Sequence, residues 1–153
     1  MRFAHLLIEN WRNFRTVDVS LSRRVFLVGP NASGKSNLLD AIRFLRDVAD
    51  PQGGFQRAVA FRRGVSQIRS LHARQYSNVV LDTTLALDEV EWRYRLEFNQ
   101  DNVRRPIVRK EEVWRARHKV LTRPDTTDED DPLRLTQTHL EQVNANSVTR
   151  FES

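Results

Sequence analysis

The chain has 153 residues, 39% hydrophobic and 29% charged, with 25 basic against 20 acidic residues and a formal net charge of +5. That length suits one domain with its own core, and the composition excludes a disordered chain. No cysteine is present, so disulfides, thiolate metal sites and thiol nucleophiles are excluded.

Phe3 to Glu9 predicts a first strand; its apolar stretch is too short for a secretory signal. Asn10 to Arg15 is a connection. Thr16 to Leu21 then alternates, with Val17, Val19 and Leu21 on one face, predicting a second strand antiparallel to the first. No apolar run approaches the roughly 18 residues of a membrane span, so a cytoplasmic protein without membrane contact is expected.

Val25 to Val28 is a short apolar run that fits a central parallel strand buried on both faces. It leads into Gly29-Pro30-Asn31-Ala32-Ser33-Gly34-Lys35-Ser36-Asn37, which fills the pattern G-x-x-x-x-G-K-[ST]. Leu38, Ala41, Ile42, Leu45 and Val48 then recur as one stripe of a helix. A strand–loop–helix of this kind aims backbone N–H groups and a positive helix end at phosphates. Gly29 and Gly34 permit the sharp turn, Lys35 supplies a mobile charge for the terminal phosphates, and Ser36 is the expected Mg²⁺ ligand.

Asp50-Pro51-Gln52-Gly53-Gly54 breaks the chain. The segment from Phe55 to Gln75 has no acidic residue but holds Arg57, Arg62, Arg63, Arg69 and Arg74, which are candidate contacts to nucleic acid or a partner. A solvated or partner-covered loop is the competing reading. One short helix is expected there, around Val65 to Leu71.

Beyond Tyr76 the pattern is β. Val79 to Leu87 and the alternating Trp92, Tyr94, Leu96 and Phe98 predict a hairpin, and Ile107 to Val120 predicts one longer strand. Arg123 to Pro132, with its carboxylate run, predicts a solvated linker, since it lacks the spacing of a calcium loop. Leu133 to Asn146 predicts a short helix. The four histidines are scattered and predict no metal site.

These residues carry a resemblance. Asn13-Phe14-Arg15 matches an N-F-R/K motif, and Gly29 to Ile42 matches G-P-N-G/A-S/A-G-K-S-N-L-L-x-A-I almost throughout. Together they resemble the N-terminal lobe of RecF/SMC/OLD-type ATPases, and more narrowly bacterial AAA-type members of that superfamily, several of which serve in phage defence. The resemblance implies an α/β fold: a phosphate-loop NTPase half-core with an antiparallel β-meander layer, as in ABC-type ATPase heads. Residues 1–153 would form a single domain, the N-terminal lobe of such a head.

The resemblance further implies ATP and Mg²⁺ as cofactors, with Asn13, Phe14 and Arg15 bordering the adenine or phosphates. Arg15 is equally readable as a solvated strand-edge residue. A glutamine after the meander would touch Mg²⁺ and the attacking water; Gln137 and Gln142 are the candidates beside Lys35, against the reading of ordinary surface glutamines. The family also needs an Asp-Glu pair after an apolar strand, a signature loop and a switch histidine, and none of these is in the chain. Leu85-Ala86-Leu87-Asp88-Glu89 comes nearest but falls in a hairpin turn.

The expected partners are therefore a C-terminal ATPase lobe and a second head, with DNA or a defence effector protein beyond them. Alone, the chain should bind nucleotide weakly and barely hydrolyse it. Residues 150–153 show no sign of a natural finish. Two other functions are carried as alternatives: a small-molecule or nucleotide kinase, and a non-catalytic nucleotide- or DNA-binding module.

Overall fold

In the computed structural model, which describes residues 1–74 and 77–142, the alternating segments form one antiparallel sheet. Its strands are β1 (Arg2–Trp11), β2 (Phe14–Ser20), β3 (Val79–Leu87), β4 (Val90–Gln100), β5 (Pro106–Arg115) and β6 (His118–Arg123). They lie in the order β2-β1-β3-β4-β5-β6. The register sets Ile8 opposite Leu81, Leu81 opposite Leu96, and Phe98 opposite both Val79 and Val108. Those apolar residues therefore share one face, as the period of two requires.

Helix α1 (Lys35–Ala49) covers that face with Ala41, Phe44, Leu45 and Val48, all buried. Leu38 and Ile42 pack at its margin. Trp11, Phe44, Phe98 and Phe55 form a chain of ring contacts, with centroids 5.3, 5.3 and 5.4 Å apart, and each is fully buried. Burial of each such side chain stabilises the fold by roughly 1.5–3 kcal/mol. The mixed α/β class and the antiparallel layer agree with expectation.

Four local expectations need correction. Residues 25–28 do not form a strand: Val25, Phe26, Leu27 and Val28 are 50%, 83%, 41% and 92% exposed. A central parallel strand needs hydrogen-bonding neighbours, and every strand pairing among the described residues is antiparallel and leaves out residues 25–28. The run from Ile107 to Val120 is likewise not one strand. It turns at Ala116, whose φ is 50°, and Arg117, giving β5 and β6 and a meander of four strands.

The basic segment holds two helices, α2 (Gly54–Phe61) and the single turn α3 (Val65–Ile68). Phe55, Ala58 and Val59, at i, i+3 and i+4, bury one side of α2. The expected linker contains a helical turn, α4 (Thr126–Asp130), closed by a capping box in which Asp125 accepts from the Asp128 N–H at 2.8 Å. Asp128 is buried there rather than solvated. A 3₁₀ turn (Pro132–Thr136) and α5 (His139–Gln142) follow. The rest of the helix expected to reach Asn146, and the terminal residues 150–153, lie outside the described residues. No described helix is long and apolar enough to cross a membrane.

Candidate functional site

The glycine-rich loop lies where α1 meets the turn between β1 and β2. Gly34 caps α1 with φ 99° and ψ 5°, a left-handed conformation that a side chain disfavours. A β-carbon at Gly34 would lie 2.5 Å from Asn13 Nδ2 and 2.9 Å from Phe14 Cζ. Asn13 and Phe14 therefore seat on the loop, and only glycine fits beneath them. Asn37 Nδ2 donates to Asn13 Oδ1 at 2.8 Å, and the buried Trp11 donates from Nε1 to the Asn37 carbonyl at 3.0 Å. These bonds tie the end of β1 to the first turn of α1.

Lys35 turns back over the loop. Its Nζ donates to the carbonyls of Gly29 and Pro30, each at 2.6 Å, and lies 3.4 Å from Ser33 Oγ. Gly29 is close-packed as well, since a β-carbon there would lie 2.9 Å from Ser33 Oγ. Ala32 sits at φ 63°, completing the turn. A concavity of about 360 Å³ is lined by residues 31–37. The first turn of α1 contains no acidic residue, so nothing there cancels the positive helix end.

An anionic ligand fits this donor set: free N–H groups at a helix start, one ammonium group, and the exposed Ser36 hydroxyl, which has no hydrogen-bond partner among the described residues. Lys35, Gly34 and the loop backbone would hold phosphate oxygens, and Ser36 would face a divalent ion carried with them. No cluster of three metal-ligating side chains occurs among the described residues. An ion here would depend on the ligand for most of its coordination.

Arg15 is exposed on β2, beside the loop in sequence, with no partner among the described residues. Gln137 is exposed and engages through its backbone: its N–H donates to the Arg134 carbonyl at 3.2 Å and its carbonyl accepts from Arg123 at 3.0 Å. Gln142 closes α5, which packs beside α1; its side chain is not among those described.

The five arginines divide. Arg57, Arg63 and Arg74 are exposed. Arg62 is not a surface contact, because its side chain is 3% exposed and bonds Asp40 and Asp47, each at 3.0 Å. Burial works against ionisation of Asp47, but the bonds from Arg46 and Arg62 prevail and hold it below the ordinary carboxylate value. Arg69 donates to Asn99 Oδ1 at 3.0 Å.

Two positioning groups have no motif in the sequence. Arg12 donates to Asp40 and to the Gln67 carbonyl, each at 3.2 Å, pinning the β1–β2 turn to α1 and α3. Glu111, fully buried, accepts from Tyr94 Oη at 2.9 Å and from the N–H groups of His139 and Leu140 at 2.7 and 3.2 Å. It thus caps α5 from β5. Burial, then the Glu111 charge, pushes the Tyr94 hydroxyl well above its ordinary value, so it stays a donor. An acidic residue breaking an apolar strand pattern is the only sequence signal for Glu111.

Residues 24–147 match the family of AAA domains described as putative AbiEii toxin, type IV TA system. The endonuclease GajA of Bacillus cereus is 38% identical over 58 residues, covering 38% of this chain and 10% of that protein. The DNA replication and repair protein RecF of Synechocystis is 31% identical over 109 residues, covering 70% of this chain and 28% of RecF. The chain thus spans only between 10% and 28% of the length of these relatives. A solved chain described under ATP-driven dimerization and DNA-stimulated activation of SMC ATPases aligns with a TM-score of 0.47 and 17% identity, over 100% of this chain and 92% of that one.

Proposed function

We propose, from the premise that this chain belongs to the AAA-domain family described as putative AbiEii toxin, type IV TA system, that its glycine-rich loop binds Mg²⁺-ATP. The carrying observation is the Asn13–Gly34 seat with Lys35 folded over the loop mouth. Bound phosphates would draw Lys35 off the Gly29 and Pro30 carbonyls. The loop N–H groups and the start of α1 would then hold the β- and γ-phosphates, with Ser36 toward the metal. Asn13, Phe14 and Arg15 would border the nucleotide, and either Gln137, at the end of the 3₁₀ turn, or Gln142, at the end of α5, would be the glutamine that serves the metal.

The reading extends to a complete ATPase of the RecF/SMC/OLD type. A C-terminal lobe would supply the acidic pair and signature loop, and closure of two heads would enclose the nucleotide. The exposed apolar run at residues 25–28 supports this, because such a run leading into a phosphate loop suits pairing with parallel strands from another lobe. Relatives named for DNA replication and repair and for endonuclease activity support work on DNA, which we place in DNA maintenance or phage defence and in the cytoplasm. The six-stranded antiparallel layer speaks against a nucleotide kinase.

Calorimetry with Mg²⁺-ATP on this chain and on Lys35→Ala tests the reading. Binding that weakens at least tenfold in the variant supports it. Absence of binding by the parent, even after addition of a C-terminal lobe, overturns it.

A further inference from the structure

The sheet end that carries Asn13 and Phe14 has a second concavity around the turn between β4 and β5. Its volume is about 770 Å³, and its walls include Arg69, Arg104, Arg109, Asn78, Asn99 and Asn102. Three arginines thus line one hollow. Its one carboxylate, Asp101, is already engaged: it bonds Arg105 Nε at 3.0 Å and accepts from the N–H groups of Val103 and Arg105.

Each arginine is placed by a specific feature of the backbone or a neighbour. Asn99, buried, accepts from Arg69 and donates to Asn78 Oδ1 at 3.3 Å, so Arg69 is held at the wall. Arg109 is the extra residue of a β-bulge: Glu97 faces Lys110 while Phe98 faces Val108, leaving Arg109 without an opposite residue. Bulges turn a side chain out of the regular pleat. Arg104 holds φ 64° at the turn. Both Arg104 and Arg109 are exposed, with no carboxylate partner among the described residues.

We infer that this cleft binds the phosphodiester backbone of a nucleic acid strand. Guanidinium groups suit phosphate oxygens, and the amides of Asn102 and Gln100 suit sugar or base edges. The cleft is built from strand ends and a bulge rather than from the glycine-rich loop, so it is a separate anion site. Of the basic segment's arginines it retains only Arg69 as a wall residue, and Arg62 of that segment is internal. The choice of nucleic acid among polyanions rests on the DNA-linked reading above; the charge and shape of the cleft do not.

Fluorescence anisotropy of a short labelled single strand of DNA, titrated without nucleotide over a salt series, tests this. The pair Arg104→Gln/Arg109→Gln is compared with Arg57→Gln/Arg74→Gln, which removes the same charge from other exposed sites. The expected result is a tenfold or larger loss of affinity for the first pair and less than threefold for the second. Each phosphate contact on a single strand contributes about 0.7 to the slope of log K against log salt, so the first pair should flatten it by roughly 1.4. Lys35→Ala should bind DNA as the parent does, which separates failure here from failure at the glycine-rich loop. Equal losses in both pairs, no salt-dependent binding by the parent, or displacement of DNA by AMP or inorganic phosphate at matched phosphate concentration would each overturn the inference. Thermal unfolding and circular dichroism of both pairs establish that they fold; the exposed positions predict no change.

Discussion

Asn13 occupies the space that a β-carbon on residue 34 would need, so the β1–β2 turn and the glycine-rich loop are built against each other. The contact joins residues of two sequence motifs, N-F-R and G-K-S, across a gap of about twenty residues. Gly34→Ala should therefore act twice. A left-handed φ costs an L-residue about 1–2 kcal/mol, and the new methyl group must also displace Asn13 or Phe14. The expected outcome is a loss of Mg²⁺-ATP affinity of at least tenfold by calorimetry, with modest destabilisation in urea. Unchanged affinity would show that the seat does not shape the anion site.

Arg62 is expected to matter for folding and not for DNA. Its guanidinium bridges Asp40 and Asp47 on α1 and lies over the Phe44 ring, 5.1 Å from the centroid. Arg62→Ala would remove the bridge between these carboxylates and leave Asp40 to Arg12 and Asp47 to Arg46. Both are about a quarter exposed, so the loss should fall below that of a fully buried pair, on the order of 2–3 kcal/mol. Urea unfolding measures it. DNA affinity, measured where the variant remains folded, should stay within threefold of the parent.

Acid sensitivity should centre on Asp128. Arg123 bonds both of its oxygens, at 2.9 and 2.8 Å, and this pairing holds the carboxyl below its ordinary value of 3.8 despite burial. A depressed carboxylate contributes stability above its unfolded pKa, and that contribution is lost as pH falls through the folded value. The parent should thus lose stability progressively below about pH 4. Asp128→Asn should be less stable at neutral pH by roughly 2–3 kcal/mol and show a flatter profile under acid. Urea midpoints across the acid range decide it; parallel profiles for the two proteins would rule out Asp128 as the source.

The short-range features of this protein are legible in the order of its residues. The G-x-x-x-x-G-K-S loop, the apolar stripe of α1 and the period-two strands β1 to β4 each depend on residues close in sequence, where backbone sterics and side-chain periodicity suffice. Helix α2 is not among them, because Phe55, Ala58 and Val59 make a stripe only when the small Ala58 is counted as a core residue.

Other features are settled only in three dimensions. Residues 25–28 have the composition of a buried strand, but a strand exists only where partners supply hydrogen bonds, and no neighbouring sequence reveals them. Arg62 reads as part of a basic surface because its carboxylates stand 15 and 22 residues away, on the preceding helix. Glu111 and Asp128 both bond Arg123 across two strands and a helical turn, so three charges in the sequence become one buried network. The order of residues determined what each segment could form locally. Which charges face solvent, and which apolar run has a neighbour, was decided by pairings between distant segments, because burial and charge compensation are properties of the assembled packing.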